Sequence, residues 1–206
     1  PHNKIALQQW LWGRQSMDVL AQYEVDADAE EWLGVLKRLQ PRLYSISSSP
    51  KVDPGEVQLT VSAVRYNHEG KNRSGVCSTF LADHCDDADV PIFVQKSAHF
   101  RPPSAADAPM IMVGPGTGIA PFRGFLHERR ELGHTGKNWM FFGEQHEATD
   151  FYYREEMEAM HRDGFLTHLD AAFSRDQRQK IYVQDRIREH GAKLWGWMQE
   201  GASLYV

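Results

Sequence analysis

The stretch MIMVGPGTGIAPFRGF, residues 110–125, predicts the architecture of the second half of the chain. It starts with an apolar run typical of a buried strand, passes through Gly114, Gly116 and Gly118, and leads into a helix-like segment in which Pro121 suits the first turn. Glycines let a backbone approach a ligand closely, and a helix N-terminus offers N–H groups to a phosphate. The GxGxG spacing differs from the GxGxxG fingerprint, and no P-loop Gly-Lys-Ser/Thr follows. The loop therefore favours nucleotide binding over a plain tight turn.

Strand-like and helix-like segments alternate after this loop. KNWMFFGE (137–144) and LTHLDAAFS (166–174) have the texture of buried strands, and SLYV (203–206) begins another. The helical patterns between them are DFYYREEMEAMHRDG (150–164) and YVQDRIREHGAKLWGWMQEG (182–201). Such alternation predicts a parallel sheet covered by helices, a Rossmann-like α/β domain over residues 105–206.

The first half of the chain has a different pattern. Residues 1–39 indicate helical pieces, including one that Asp28 could cap, and residues 40–104 contain short strand-like runs such as EVQLTVSAVRY (56–66) and VPIFVQ (90–95). Turn residues separate these runs, which is typical of a small antiparallel barrel or sandwich. The Pro- and Ala-rich segment 101–109 indicates a linker, so we expect a helical piece, a β domain and an α/β domain in that order.

Composition excludes several classes of function. The chain has 206 residues and a formal net charge of −5, which argues against bulk nucleic-acid binding. Its apolar runs are too short to span a bilayer, and its ten histidines lack metal-ligand spacing, so we expect no membrane segment and no metal site. No GxSxG motif supports a serine hydrolase, and the six tryptophans are interpreted as packing residues. Two cysteines without CxxC spacing favour a reducing cytoplasm.

A basic cluster, SRDQRQKIYVQ (174–184), follows the third predicted strand of the α/β domain. Open α/β sheets bind ligands at the carboxyl ends of their strands, and Ser174, Arg175 and Lys180 could together hold a dianionic phosphate. Tyr182 could stack on a base. A solvated charged loop is the alternative, and the residues alone leave both interpretations open.

Two further stretches contain polar residues of interest. GVCSTFL (75–81) has a glycine and hydroxyl residues suited to a phosphate, although a turn leading into a short helix is the simpler interpretation. RLYSISSSP (42–50) places a cation, a phenol and four serines where a strand follows Pro41. Of these serines, Ser47, Ser48 and Ser49 are interpreted as turn residues.

Taken in order, these segments resemble a known family. RLYSISSS, TVSAVRY, GVCSTFLA, FRPP, MIMVGPGTGIAPFRGF, FFGEQH, DFYYREE, AFSRDQRQKIYVQ and GASLYV together resemble the ferredoxin–NADP reductase-type FAD- and NADPH-binding module of diflavin reductases. The RLYS form and SRDQRQKIYVQD are similar to bacterial sulfite reductase flavoprotein subunits. Each motif alone is weak, and nine in the family's order are specific. The resemblance extends from about residue 32 to residue 206.

The resemblance implies an FAD site in the first part of the chain. Arg42 would meet the FAD phosphates, Tyr44 would lie against the isoalloxazine ring beside Leu43, and Ser45 would be the catalytic residue near flavin N5. Thr60, Val61, Ser62 and Tyr66 would line the rest of the site. The backbone amides of Gly75, Val76, Cys77 and Ser78 would hold the pyrophosphate.

The resemblance also implies an NADPH site in the α/β domain. Gly114, Gly116, Thr117 and Gly118 would face the pyrophosphate and the nicotinamide side. Ser174, Arg175 and Lys180 would bind the 2′-phosphate, Tyr182 would stack near the adenine, and Gln184 would complete the site.

The implied function is an NADPH-dependent flavin oxidoreductase that passes a hydride from NADPH to FAD. Electrons would then go to FMN on a flavodoxin-like domain upstream of this sequence, and onward to an acceptor such as a sulfite reductase haemoprotein. The family's flavodoxin-like domain and its C-terminal cysteine, acid and aromatic residue lie outside the sequence, so we expect a module truncated at both ends. The alternative is a non-catalytic flavin-binding or docking fragment of a larger electron-transfer assembly.

Overall fold

The computed structural model describes residues 3–23, 25–86 and 89–206, and these form two compact units. The first unit comprises the described residues up to Leu43 together with Ala63–Pro91. The second comprises Tyr44–Ser62 and Ile92–Val206. We describe each unit by itself.

In its described residues, the first unit contains four helices and an antiparallel hairpin. In chain order its elements are α1 (Lys4–Leu11), α2 (Ser16–Gln22), α3 (Ala29–Val35), β1 (Arg65–His68), β2 (Lys71–Ser74) and α4 (Val76–Asp83). The hairpin pairs Arg65 with Ser74 and His68 with Lys71. Its two-residue turn has positive φ at both Glu69 and Gly70, as a tight hairpin turn requires.

Two aspartates at helix N-termini organise this unit. Asp28 and Glu31 form a capping box at the start of α3, as the sequence predicts. Asp18 accepts a hydrogen bond from the Gln15 N–H at the start of α2 and pairs with Lys71 and Arg73 of β2. The hydrogen bond from the Gln15 N–H has the largest effect on the pKa of Asp18, and together with the two cations it lowers that pKa far below its usual value. The charged carboxylate thus connects α2 to the hairpin.

The second unit contains a four-stranded parallel sheet. Its elements are β3 (Met110–Pro115), a 3₁₀ turn (Gly116–Ile119), α5 (Ala120–Glu131), β4 (Asn138–Glu144), α6 (Glu147–Asp150), α7 (Arg154–Arg162), β5 (His168–Phe173), α8 (Val183–Glu189), α9 (Gly191–Gln199) and β6 (Ser203–Tyr205). The strand order is β5-β4-β3-β6, with Met110 in register with Asn138 and with Ser203. The predicted parallel sheet is confirmed.

Alternate residues of the central strands face two separate apolar layers. One layer, packed under α5 and α7, contains Met110, Met112, Ile119, Phe122, Leu126, Met140, Phe142, Met157, Met160 and Leu166. The other, under α8 and α9, contains Ile111, Val113, Trp139, Phe141, Ala172, Val183 and Trp197. Burial on both faces explains why β3 and β4 are continuous apolar runs in the sequence.

The segment Tyr44–Ser62 also belongs to the second unit. It contains an isolated antiparallel bridge between Ile46 and Leu59, and the expected strand over 56–66 is otherwise limited to the start of β1 at Arg65. Residues 90–95 have no strand assignment among the described residues. The expected order, antiparallel β structure followed by a parallel α/β domain, is confirmed, with the antiparallel part described as one hairpin and one bridge. In the described residues, no helix is both long and apolar enough to cross a membrane.

Candidate functional site

The carboxyl ends of β3, β4 and β5 open into a cavity of about 790 Å³. The chain runs from β3 through β4 to β5 and then returns to the other side of β3 as β6, so the strand order reverses beside β3. Ligands of open α/β sheets bind at such reversal points. Of the predicted NADPH residues, the cavity brings together Gly116, Ser174, Tyr182 and Gln184.

The three glycines of the loop have different surroundings. A Cβ at Gly114 would lie 2.8 Å from both the Gly118 carbonyl oxygen and the Phe122 ring, so this glycine is required by packing. Gly116 has a φ of +57°, a conformation that favours glycine. A Cβ at Gly118 would meet nothing closer than 3.8 Å. Gly118 and Thr117 are both exposed at this edge, so Gly118 leaves open space beside the loop.

Gly143 is a further glycine of the cavity wall that the sequence interpretation missed. A Cβ at Gly143 would lie 2.5 Å from a methyl group of Val183. The lack of a side chain at Gly143 therefore lets α8 pack against the end of β4. Its signal in the sequence is a glycine inside the apolar run of a predicted strand, which indicates a close approach of another segment.

The predicted 2′-phosphate loop is tied to the end of β4. The Ser174 N–H donates to the Glu144 carbonyl at 2.9 Å, and the Arg175 N–H donates to the Gln145 carbonyl at 2.9 Å. The side chains of Arg175 and Lys180 are exposed, and neither forms an ion pair with any described residue. Their charges are therefore available to an external anion. Neither of the two lines the cavity, whereas Ser174, the residue before Arg175, does.

The far wall of the cavity is apolar and includes an exposed tryptophan. Trp195 of α9 is 64% exposed and lines the cavity, whereas Trp197 is buried under the sheet. The interpretation of all six tryptophans as packing residues is therefore wrong for Trp195, and also for Trp12, which is 79% exposed. Residues two apart point to nearly opposite sides of a helix, so only one of Trp195 and Trp197 could face the core.

The predicted FAD residues of the first unit lie near the start of α4 and at the end of the helical segment. Val76, Cys77 and Ser78 form the first turn of α4, where N–H groups have no acceptor within the helix. Gly75 differs from them, because its N–H donates to the Val64 carbonyl at 2.8 Å. Three exposed residues remain, Arg42 and Leu43 after the helical segment and Tyr66 in β1. The Arg42 guanidinium donates to the Gln40 carbonyl.

The other predicted FAD residues lie in the second unit. Tyr44, Thr60 and Val61 are half-buried, and Ser45 and Ser62 are exposed. The Thr60 hydroxyl shares a 2.6 Å hydrogen bond with the Tyr153 hydroxyl. Tyr153 has an unusual φ of +58° just before α7, so its position is set by the surrounding structure.

An arginine that the sequence interpretation missed holds this segment on the helices. Arg123 of α5 donates to the Ser47 carbonyl at 3.0 Å, to the Gln58 side chain at 2.7 Å and to Glu156 of α7 at 2.9 Å. Its guanidinium also lies over the Tyr153 ring, 4.7 Å from the centroid. These contacts dock Ser47 and Gln58, which lie between the two residues of the Ile46–Leu59 bridge, onto α5 and α7.

Glu156 completes this network with a second partner, His127, to which it is hydrogen bonded. Burial acts to raise the pKa of Glu156. The hydrogen bonds from His127 and Arg123 outweigh that effect, so the pKa lies below its ordinary value of 4.5 and the carboxylate stays charged.

Comparison with known proteins agrees with this geometry. The model of the FAD binding domain family matches residues 4–80, and the model of the oxidoreductase NAD-binding domain family matches residues 112–206. The second match begins in β3 and includes the glycine loop, the basic loop and the cavity.

Curated proteins similar to the chain include sulfite reductase (NADPH) flavoprotein alpha-components. That of Serratia proteamaculans (strain 568) is 47% identical over 205 residues, which is 99% of this chain and 34% of the relative. That of Bacillus subtilis (strain 168) is 46% identical over 208 residues, which is 100% of this chain and 34% of the relative. The chain thus spans about a third of the length of these relatives. The chain therefore consists of an FAD binding domain followed by an oxidoreductase NAD-binding domain, the two-domain layout of ferredoxin–NADP reductase-type flavoproteins.

Proposed function

We propose that this chain is the part of a sulfite reductase-type flavoprotein that accepts a hydride from NADPH on bound FAD. The observation that carries the proposal is the cavity at the carboxyl ends of β3–β5, where Gly116, Ser174, Tyr182 and Gln184 meet. The cavity lies within the segment that matches the oxidoreductase NAD-binding family. The alpha-components to which the chain is similar are named as NADPH-dependent.

The surroundings of the cavity suit a dinucleotide with a 2′-phosphate. Open space beside Gly118 admits a pyrophosphate close to the backbone, and the exposed cations Arg175 and Lys180 would bind the 2′-phosphate. Tyr182 is 48% exposed and its ring would lie against the adenine. In this assignment Gln184 contributes an amide at the same wall.

The residues proposed for FAD supply complementary groups. The N–H groups of Val76, Cys77 and Ser78 would donate to the FAD pyrophosphate, and the Arg42 guanidinium would add a positive charge. The exposed Ser45 hydroxyl would hydrogen bond at flavin N5. When bound, the two cofactors supply the redox chemistry, a hydride moving from nicotinamide to flavin and electrons then leaving singly.

The proposed partners follow from the relatives. We propose that electrons pass to FMN on a flavodoxin-like domain and then to a haem protein that reduces sulfite, since the alpha-components are named for sulfite reductase. The proposed domain boundaries are those expected from the sequence, 1–39, 40–104 and 105–206. We propose that the reaction takes place in the cytoplasm, because the two cysteines of the chain, Cys77 and Cys85, are unpaired.

A flavin titration tests the proposed function. The purified chain is titrated with FAD, and the visible spectrum of bound flavin is recorded after removal of excess cofactor. We expect stoichiometric binding at micromolar FAD. A chain that retains no flavin under these conditions is not an FAD module.

A rapid-mixing experiment separates the enzyme from a flavin-holding fragment. The FAD-loaded chain is mixed anaerobically with NADPH, and the visible absorbance of the flavin is followed. Rapid bleaching by NADPH, with slower bleaching by NADH, is the result expected of the enzyme. Flavin that binds but is not reduced would favour the alternative function of a docking or cofactor-holding module.

A further inference from the structure

The loop after β5 carries an acidic residue among its cations. In SRDQRQK, residues 174–180, Asp176 directly follows Arg175 and precedes Arg178 and Lys180. A carboxylate this close to a dianionic phosphate would repel it, so the direction in which Asp176 points determines whether the loop can serve as a phosphate site.

The structure turns the Asp176 carboxylate toward the start of α6. One oxygen is 2.8 Å from the His146 Nδ1 atom, and the other accepts the Glu147 N–H at 2.8 Å. The Glu147 N–H, followed by the His146 side chain, lowers the pKa of Asp176, so the carboxylate is ionised at neutral pH. Its charge is thereby directed at a helix N-terminus and an imidazole.

The neighbours of Asp176 are held at the same place. Besides the backbone bonds of Ser174 and Arg175 to the end of β4, the Gln177 side-chain amide donates to the Phe173 carbonyl at 2.6 Å. His146 is in turn fixed by its own N–H, which donates to Asp150 at 2.9 Å. Each of the first four residues of the loop is therefore hydrogen bonded, and Asp176 provides the contact to α6.

We propose that Asp176 is a positioning residue for recognition of the 2′-phosphate of NADPH. By bonding to Glu147 and His146 it fixes the direction of the loop, in which Ser174 lines the cavity and the Arg175 side chain is exposed. The inference rests on the proposed function, because it concerns the same coenzyme. It adds an acidic residue, which repels phosphate in isolation, to the determinants of coenzyme choice.

The experiment exploits two effects of opposite sign. If the Asp176 carboxylate mainly repelled the phosphate, its removal would tighten binding of 2′,5′-ADP; if it positions the loop, its removal weakens that binding. Calorimetric Kd values for 2′,5′-ADP and for 5′-AMP are measured on the whole chain. For Asp176→Ala we expect the preference for 2′,5′-ADP over 5′-AMP to fall about fivefold, the factor expected for a lost capping hydrogen bond.

Three further variants sharpen the result. Asp176→Asn keeps an acceptor for the Glu147 N–H and an amide group beside the His146 ring, so it should retain most of the preference. His146→Ala removes one of the two contacts and should lose less than Asp176→Ala. The matched control is Asp163→Ala, because Asp163 also accepts a backbone N–H, that of Phe165, and pairs with Arg130 away from this cavity. It should leave the preference unchanged.

The outcomes distinguish this inference from the proposed function. A wild-type chain that binds 5′-AMP as tightly as 2′,5′-ADP overturns the NADPH assignment and the inference together. A wild-type preference that Asp176→Ala preserves or increases overturns the inference alone. Should Asp176→Ala fail to fold, as judged by circular dichroism, the comparison of His146→Ala with Asp163→Ala decides, and equal preferences in those two variants overturn the inference.

Discussion

At the scale of single residues, the GxGxG loop shows that one motif combines different requirements. Gly114 is required because its neighbours leave no room for a Cβ, and Gly116 because its backbone has a positive φ. Gly118 has neither constraint, and the space beside it is open. We therefore infer that Gly118 is retained for the ligand and Gly114 for the fold.

We therefore expect alanine to lower stability at Gly114 and to weaken coenzyme binding at Gly118. Gly114→Ala should lower the free energy of unfolding by about 1–3 kcal/mol, because its methyl group would overlap the Gly118 carbonyl oxygen and the Phe122 ring. Gly118→Ala should change it by less than about 0.5 kcal/mol. It should weaken NADP⁺ binding about tenfold, the scale on which one methyl group discriminates in a fitted site.

Urea unfolding and calorimetric titration with NADP⁺ measure the two effects. The variants serve as controls for each other, since both add one methyl group to the same loop. Equal stability losses in the two variants would contradict the division of roles.

At the scale of elements, the Tyr44–Ser62 segment is held mainly by side chains of two helices. Ser47 and Ser49 are fully buried, and Ser48 nearly so, because this segment packs against α5 at Gly124. A Cβ at Gly124 would lie only 3.0 Å from the Ser48 carbonyl oxygen. The helix therefore needs a glycine to admit the segment.

The sequence predicted the strands of the sheet better than it predicted the packing of the Tyr44–Ser62 segment on α5. β3 and β4 could be predicted because burial on both faces makes them apolar runs, and the glycines with Pro121 indicate where α5 begins. From the sequence, Ser47–Ser49 are interpreted as turn residues, because a run of serines gives no indication of burial. Gly124 inside a helical pattern was the available signal, but it could not identify which distant segment packs there.

Arg123 is predicted to contribute most to holding this segment. Its side chain is 12% exposed and donates to three acceptors, so Arg123→Ala should lower the free energy of unfolding by about 2–3 kcal/mol. Arg154→Ala is the control, because Arg154 also pairs with two glutamates but is 45% exposed. It should cost less than about 1 kcal/mol. Chemical unfolding followed by fluorescence measures both losses, and similar values would argue against the docking role of Arg123.

The titration of Glu156 should make the stability of the folded chain depend on pH. Its pKa is depressed in the folded chain, so its contribution is complete above the ordinary pKa of 4.5 and is lost as pH falls through the lower folded value. Glu156→Gln removes this titration. We expect the wild type to be the more stable protein at neutral pH and the difference to shrink steadily below about pH 4.5. A difference that is independent of pH between neutrality and the acid range would show that the Glu156 charge does not stabilise the fold.

At the scale of the whole molecule, the proposed cofactor sites are distributed differently over the two units. All proposed NADPH residues belong to the second unit, whereas the proposed FAD residues are divided, Arg42, Leu43, Tyr66 and Gly75–Ser78 in the first and the others in the second. The sequence identified these residues through their resemblance to a family. It could not assign them to units, because unit membership depends on contacts between residues far apart in the chain.

This distribution predicts where a coenzyme fragment stabilises the chain. 2′,5′-ADP at about 100 times its Kd should stabilise the second unit by about 2.7 kcal/mol, because a ligand bound only to the folded state shifts its unfolding equilibrium. Amide hydrogen exchange should therefore slow at residues 114–118 and 174–184, while the β1–β2 hairpin keeps its exchange rates. 5′-AMP at the same concentration is the control and should protect the basic loop less, since it lacks the 2′-phosphate. Protection confined to the hairpin would place the coenzyme elsewhere than the cavity at the ends of β3–β5. Equal protection of the basic loop by the two nucleotides would contradict its contact with the 2′-phosphate.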